Sequence, residues 1–202
     1  MTSINNIVLE SADPTAAATF YDTAFGLGSR VQVRASDAPT EGFRGYTMSL
    51  VVSQPSGVDA LMDAALTAGA TELKPATKSF WGYGAAVQAP DGAIWTLASS
   101  SKKNSGPVTR DIDDIVLLLG VDDVKATKQF YVDRGFPVGK SFGGKYVELA
   151  TNPIKLALYG RGALAKNAGV SPEGSGSHRL VIRGDAGSFA DPDGFDWEVA
   201  AR

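Results

Sequence analysis

The phrase PDGAIWTLA (90–98) returns near the other end of the chain as PDGFDWEVA (192–200). Pro-Asp-Gly is turn chemistry. Proline presets the backbone for a turn, aspartate bonds its own following backbone, and glycine accepts a positive φ. The residues after the turn carry a tryptophan at the same place, Trp95 or Trp197, and read as strands with one buried face. The next residue differs between the copies, Thr96 in the first and Glu198 in the second.

Each phrase closes a larger repeat. INNIVLES (4–11) alternates as a half-buried strand and is followed by Asp13-Pro14, a helix cap and first-turn pair. Ala17, Phe20, Tyr21, Ala24 and Phe25 recur at helical spacing, and Gly26 ends the helix. The second half repeats the order with the strand IDDIVLLLGV (112–121), a cap at Asp122 or Asp123, the helix KATKQFYVDR (125–134) and Gly135. The halves differ in their middles. The first has the strand YTMSLVVS (46–53) and a helix capped by Ser56 with a stripe at Val58, Leu61, Met62, Ala65 and Leu66. It then runs through TELKP and SFWGYG into AAVQAP. The second has strands in VGKSFGGKYVELA (138–150) and IKLALYG (154–160), and passes from His178 to its closing phrase with no helix between. SSSKKNSGPVTR (99–110) is polar and Gly/Pro-punctuated, a boundary between halves.

Composition narrows the chemistry. A net charge of −3 gives no electrostatic reason to expect nucleic acid or an anionic membrane as partner. The absence of cysteine excludes disulfides, thiolate metal sites and cysteine nucleophiles. No stretch approaches the roughly 18 apolar residues of a membrane span. MTSINNIVLE lacks the flank and apolar run of a signal peptide, so a cytoplasmic placement is expected. His178 is the single histidine, and no GxSxG motif is present for a serine nucleophile.

The order of these elements resembles the vicinal-oxygen-chelate superfamily, the group of glyoxalase I, bleomycin-resistance proteins and extradiol dioxygenases. FRGYTMSLVV (43–52), KSFWGYGAAVQAPDG (78–92) and FADPDGFDWEVA (189–200) carry the resemblance, which covers nearly the whole chain in two copies. It implies an α+β fold of tandem βαβββ modules whose curled sheets pair into a cup. The modules fall at 1–42, 44–99, 112–160 and 176–202, the first and last abbreviated. They group into a half at 1–100, a linker at 101–111 and a half at 112–202. Either the two complete modules pair into one cup with the shortened two as scaffold, or each half closes on itself.

In metal-using members of that superfamily a divalent ion sits on the cup floor, held by His or Gln and Glu near the start of each module's first strand and on its last strand. Matched by position, the first half offers Asn6 and Thr96, poor divalent ligands. The second half offers Asp114, His178 and Glu198, while the last strand of the third module offers only Leu156 or Ala157. Three such ligands suffice for a catalytic nickel, manganese, iron or zinc ion. The same residues have plainer readings: a hydrogen-bonded histidine after a GSGS turn, a glutamate paired with Arg179 or Arg183, and an aspartate in the solvated run with Asp111 and Asp113.

The aromatics offer a second kind of site. Phe80, Trp81 and Tyr83 lie in a glycine-flanked loop entering a strand, where backbone can approach a ligand and the rings offer flat apolar area. With Tyr46, Trp95 and Phe43 they are expected to line an apolar cup, although Trp95 and Trp197 also suit core positions. SFGGKY (141–146) sits in a hairpin and does not read as a phosphate loop. GRGALAKNAGVSPEGSGS (160–177) holds a short helical stretch in a Gly/Ser-rich connection, a lid over the cup or a linker. The leading expectation is a glyoxalase-like small-molecule-binding protein, a monomer or homodimer, holding an apolar or aromatic ligand without a metal or other cofactor. The alternatives are a metal-dependent lyase, isomerase or dioxygenase built on Asp114, His178 and Glu198, and a protein that acts through its surface with no ligand.

Overall fold

A computed structural model describes residues 2–200. In chain order the elements are β1 (Ser3–Ser11), α1 (Pro14–Phe25), β2 (Val31–Ala35), β3 (Thr40–Gly42), β4 (Tyr46–Val51), α2 (Pro55–Thr67), β5 (Thr71–Ser79), β6 (Gly82–Gln88) and β7 (Ile94–Ser99). They continue with β8 (Asp114–Val121), α3 (Val124–Asp133), β9 (Val138–Phe142), β10 (Tyr146–Leu149), β11 (Asn152–Gly160), α4 (Arg161–Ala168), β12 (Gly174–Gly176), β13 (Leu180–Gly184), β14 (Phe189–Ala190) and β15 (Asp196–Val199). No helix among the described residues is long and apolar enough to cross a membrane.

Local chemistry sets the helix ends. The Asp13 carboxylate accepts from Ala16 N at 2.9 Å, Pro14 opens α1, and Gly26 closes it in the left-handed region. In α3 the cap is Asp123, which accepts from Lys125 N and Ala126 N. Ser56 does not cap α2. Pro55 takes the first helical position, which moves the cap to Gln54, whose side chain turns away from the helix. That amide donates to Pro107 O at 2.7 Å and accepts from Ser105 N and Gly106 N, strapping the connection between β7 and β8 to the body. The α2 stripe is buried at Val58, Leu61, Met62 and Ala65, whereas Leu66 is 37 % exposed.

Two complete strand–helix–three-strand sets stand out. One orders its strands β4-β7-β6-β5, the other β8-β11-β10-β9, and in each the first and last strands run parallel. They join edge to edge through antiparallel β4 and β8, from Tyr46 opposite Leu119 to Val51 opposite Asp114. The shortened sets join in the same way. β1 lies parallel to β2, β13 parallel to β15, and β1 pairs antiparallel with β13. A short β1–β11 contact unites both arcs in one sheet. Of the two arrangements open in the sequence, hydrogen bonding follows the first.

Helix packing instead ties each half together. The Tyr21 and Phe25 rings of α1 lie 5.3 and 5.1 Å from Trp95 on β7, and Tyr131 of α3 lies 6.0 Å from Trp197 on β15. The helix of each half is also hydrogen-bonded to an aspartate at its closing turn. Tyr21 Oη donates to Asp91 at 2.7 Å, and Tyr131 Oη donates to Asp191 at 2.8 Å. In the first half the partner is the aspartate of Pro-Asp-Gly itself; in the second it is Asp191, just before the phrase, while Asp193 within it accepts from Thr127 Oγ1 of α3 at 2.6 Å.

Candidate functional site

Strand alternation divides the complete arc into two faces. On β4, Met48 pairs with Trp95 and Ser49 with Thr96. Tyr46, Met48 and Leu50 are buried in the main core with Trp95, Leu97, α1 and α2. Thr47, Ser49 and Thr96 belong to the opposite, concave face. Tyr46 and Trp95 are therefore core residues, 2 % and 0 % exposed, and do not line the cup. The reason is the period of two: when Thr96 faces the cup, Trp95 faces away. Burial pushes the Tyr46 phenol far up from its ordinary value.

The concave face is half filled by α4. Its Leu164, Ala165 and Ala168 are buried with Phe43 and Ile94, against Leu118 and Tyr159 of the sheet. Gly120 makes this possible, since a Cβ there would stand 3.2 Å from both Arg161 Cα and Leu164 Cδ2. What the sequence offered as a lid or a linker is a helix seated in the cup.

The unfilled half is a cleft of about 400 Å³, lined among others by Lys74, Thr77, Trp81, Gly84, Thr96 and Asn167. Phe80 and Trp81 occupy the β5–β6 tip, each 82 % exposed, with their rings edge to face at 5.0 Å. Gly82 sets the tip against the sheet, with φ +145° and a would-be Cβ only 2.0 Å from Ser99 O. Tyr83 also borders the cleft, but its hydroxyl donates to Asp59 of α2 at 2.7 Å, a bond that raises its pKa. Sequence reading missed Lys74 and Asn167, because neither has a local signal; β5 register and the docking of α4 bring them to the rim.

Asp114, His178 and Glu198 are not brought together. Asp114 pairs with Lys155 at 2.6 Å. Glu198 lies between Arg34 and Arg183, at 2.8 and 2.9 Å, and Arg34 also holds Glu10 at 2.7 Å. Arg179 does not join them; it donates to Ser36 O. The His178 ring nitrogens lie 2.6 Å from Arg44 O and 3.0 Å from Asp193 O, and its ring stacks on Phe195 at 4.0 Å. Cations already neutralise both carboxylates, and both imidazole nitrogens face carbonyls. Among the described residues no group of three or more His, Asp or Glu can hold a metal ion. This donor set does not fit a divalent metal.

The Glu198 pairs set a pH dependence. The Arg34 hydrogen bond holds the carboxyl below its ordinary 4.5; burial opposes it, and Arg183 adds a smaller lowering. Their contribution is complete above that value and is lost as the pH falls through the lowered folded-state value. With the Arg34 and Glu198 side chains 40 % and 37 % exposed, screening limits the pair to less than about 1 kcal/mol. Glu198→Gln is expected to cost that much at pH 7 and to approach wild type in acid, as read by urea melts at pH 7 and pH 3.

No protein-family model matches the sequence, and no curated protein does. Solved structures do match. Glyoxalase I from Zea mays aligns over 98 % of this chain and 91 % of its own, at 16 % identity and TM-score 0.63. Its V278E variant aligns over 98 % and 92 %, at 15 % and 0.61. A candidate dioxygenase from Bacillus subtilis aligns over 90 % of this chain and 69 % of its own, at 14 % and 0.57. At these identities the likeness is one of fold. With its paired strand–helix–strand sets, the chain has the fold of glyoxalase I.

Proposed function

We propose that the protein binds an aromatic small molecule in the cleft between α4 and the β5–β6 tip, without a metal ion. One observation carries the reading. A concavity of about 400 Å³ on the face opposite the main core has an 82 % exposed tryptophan at its rim and is lined by threonine, serine and asparagine side chains. Concave sites of this size with a few polar groups suit small ligands, and an exposed indole offers flat area at little conformational cost.

The three tryptophans make the test direct. Trp95 and Trp197 are buried and Trp81 is not, so a ligand stacking in the cleft quenches Trp81 selectively. A library of mono- and bicyclic aromatics, screened by melting temperature and then by fluorescence titration, is expected to yield binders. Trp81→Ala should weaken them at least tenfold and change stability by less than about 0.5 kcal/mol, as exposed substitutions do. A library that shifts no melting temperature, or binders indifferent to Trp81→Ala, contradicts the reading.

A further inference from the structure

The floor of the cleft continues beneath α4. Thr96 lines the open part, Ser49 sits opposite it on β4, and Thr47 follows two residues along the same face. Thr47 is paired with Leu118, which packs against the α4 cluster. Thr47 is 1 % exposed, and its hydroxyl has no hydrogen-bond partner in the protein. A buried hydroxyl without a partner costs stability, and valine would fill the same shape. Three hydroxyls thus form a row from the open cleft to a closed, unsatisfied end.

The cover over that end is lightly held. α4 has eight residues, too few to persist as a helix alone, and buries one leucine and two alanines. Gly160 precedes it without a side-chain cap, and Gly169 ends it at φ +80°. Its first residue is anchored, with Arg161 donating to Phe43 O at 2.7 Å and to Pro172 O at 3.0 Å. Its far end, which borders the cleft, is held by Ala168 packed with Leu73 and Val170 and by the exposed Lys74 donating to Lys166 O at 3.0 Å.

We infer that the ligand site extends under α4, that the helix swings out from its Lys74 end to admit the ligand, and that Thr47, with Ser49 and Thr96, receives an uncharged oxygen of it. This rests on the cleft being a ligand site. The floor dictates the ligand's chemistry. Its polar groups are neutral hydroxyls; on this face Asp114 and Lys155 neutralise each other, and Lys74 stands at the cleft's rim with its ammonium on Lys166 O. A carboxylate at Thr47, on β4, lies three strands from Lys74 on β5 and has no cation beside it. The ligand class is an aromatic phenol, alcohol or ketone, its ring toward Trp81 and its oxygen inward.

The test uses 2-naphthol and 2-naphthoate as probes, titrated calorimetrically into the full chain and its Thr47→Val, Thr47→Ser and Trp81→Ala variants. The wild type is expected to bind 2-naphthol at least fivefold tighter than 2-naphthoate. Thr47→Val should melt about 3 °C higher yet bind 2-naphthol about fivefold more weakly, the worth of one neutral hydrogen bond. Thr47→Ser, which keeps the hydroxyl, should bind within twofold of wild type. Amide exchange over 163–168 should quicken when 2-naphthol saturates. Equal binding by Thr47→Val, tighter binding of 2-naphthoate, or unchanged or slower α4 exchange overturns the inference. If Trp81→Ala then still abolishes 2-naphthol binding, the cleft reading survives. Failure of both probes to bind wild type removes the inference and this ligand class together.

Discussion

Asp191→Ala is expected to destabilise the protein by about 3 kcal/mol, lowering the melting temperature by about 10 °C. Asp191 is 6 % exposed. One carboxylate oxygen accepts from Phe195 N at 2.9 Å and Asp193 N at 3.0 Å, and the other from Tyr131 Oη at 2.8 Å. Tyr131 Oη in turn accepts from Trp197 Nε1 at 3.1 Å. Alanine would leave a buried phenol and two turn amides without their acceptor, and such orphans cost more than the bonds are worth. Burial pushes the Asp191 carboxyl up from its ordinary 3.8, and its hydrogen bonds oppose that rise. The neutral Asp191→Asn should therefore cost less, about 1 kcal/mol, because its amide oxygen still accepts from both turn amides. Urea denaturation of the two variants reads the difference. Equal losses would mean that packing, not the acceptor, carries the effect.

Trp95→Ala is expected to cost about 4 kcal/mol, at the upper end for a single core residue. Trp95 is fully buried between Tyr21, Phe25 and the α2 side of the sheet, and truncation empties the space where α1 docks on β7. Trp81→Ala, the same substitution on an 82 % exposed ring, should leave the melting curve nearly unchanged. The pair separates fold from function: one tryptophan holds the core of the first half together and the other is free to meet a ligand. Comparable losses at both positions would contradict that division.

The repeat and its punctuation were legible because they are local. Asp13 and Asp123 cap where a short side chain precedes a helix, and the Pro-Asp-Gly turns fall where a positive φ is needed. The partner of each strand set was not legible, because the β4–β8 join is an edge-to-edge pairing that no local pattern encodes. The metal triad failed for a related reason. Glu198 is taken by Arg34, 164 residues away in sequence, and no spacing announces such a pair. The core placement of Trp95 and Tyr46 is written in the sequence by their neighbours. Adjacent strand residues face opposite ways, so Thr96 and Trp95, or Thr47 and Tyr46, cannot share a cup wall.

The most direct test of the central claim is the ligand-induced rise in melting temperature for the best aromatic binder, measured after exhaustive chelation and again with added nickel, manganese, iron(II) or zinc. The account predicts the same rise in every case for wild type, its retention in Glu198→Gln and Asp114→Asn, and its loss in Trp81→Ala. A rise that requires a divalent ion and disappears with Glu198→Gln, while surviving Trp81→Ala, would contradict it.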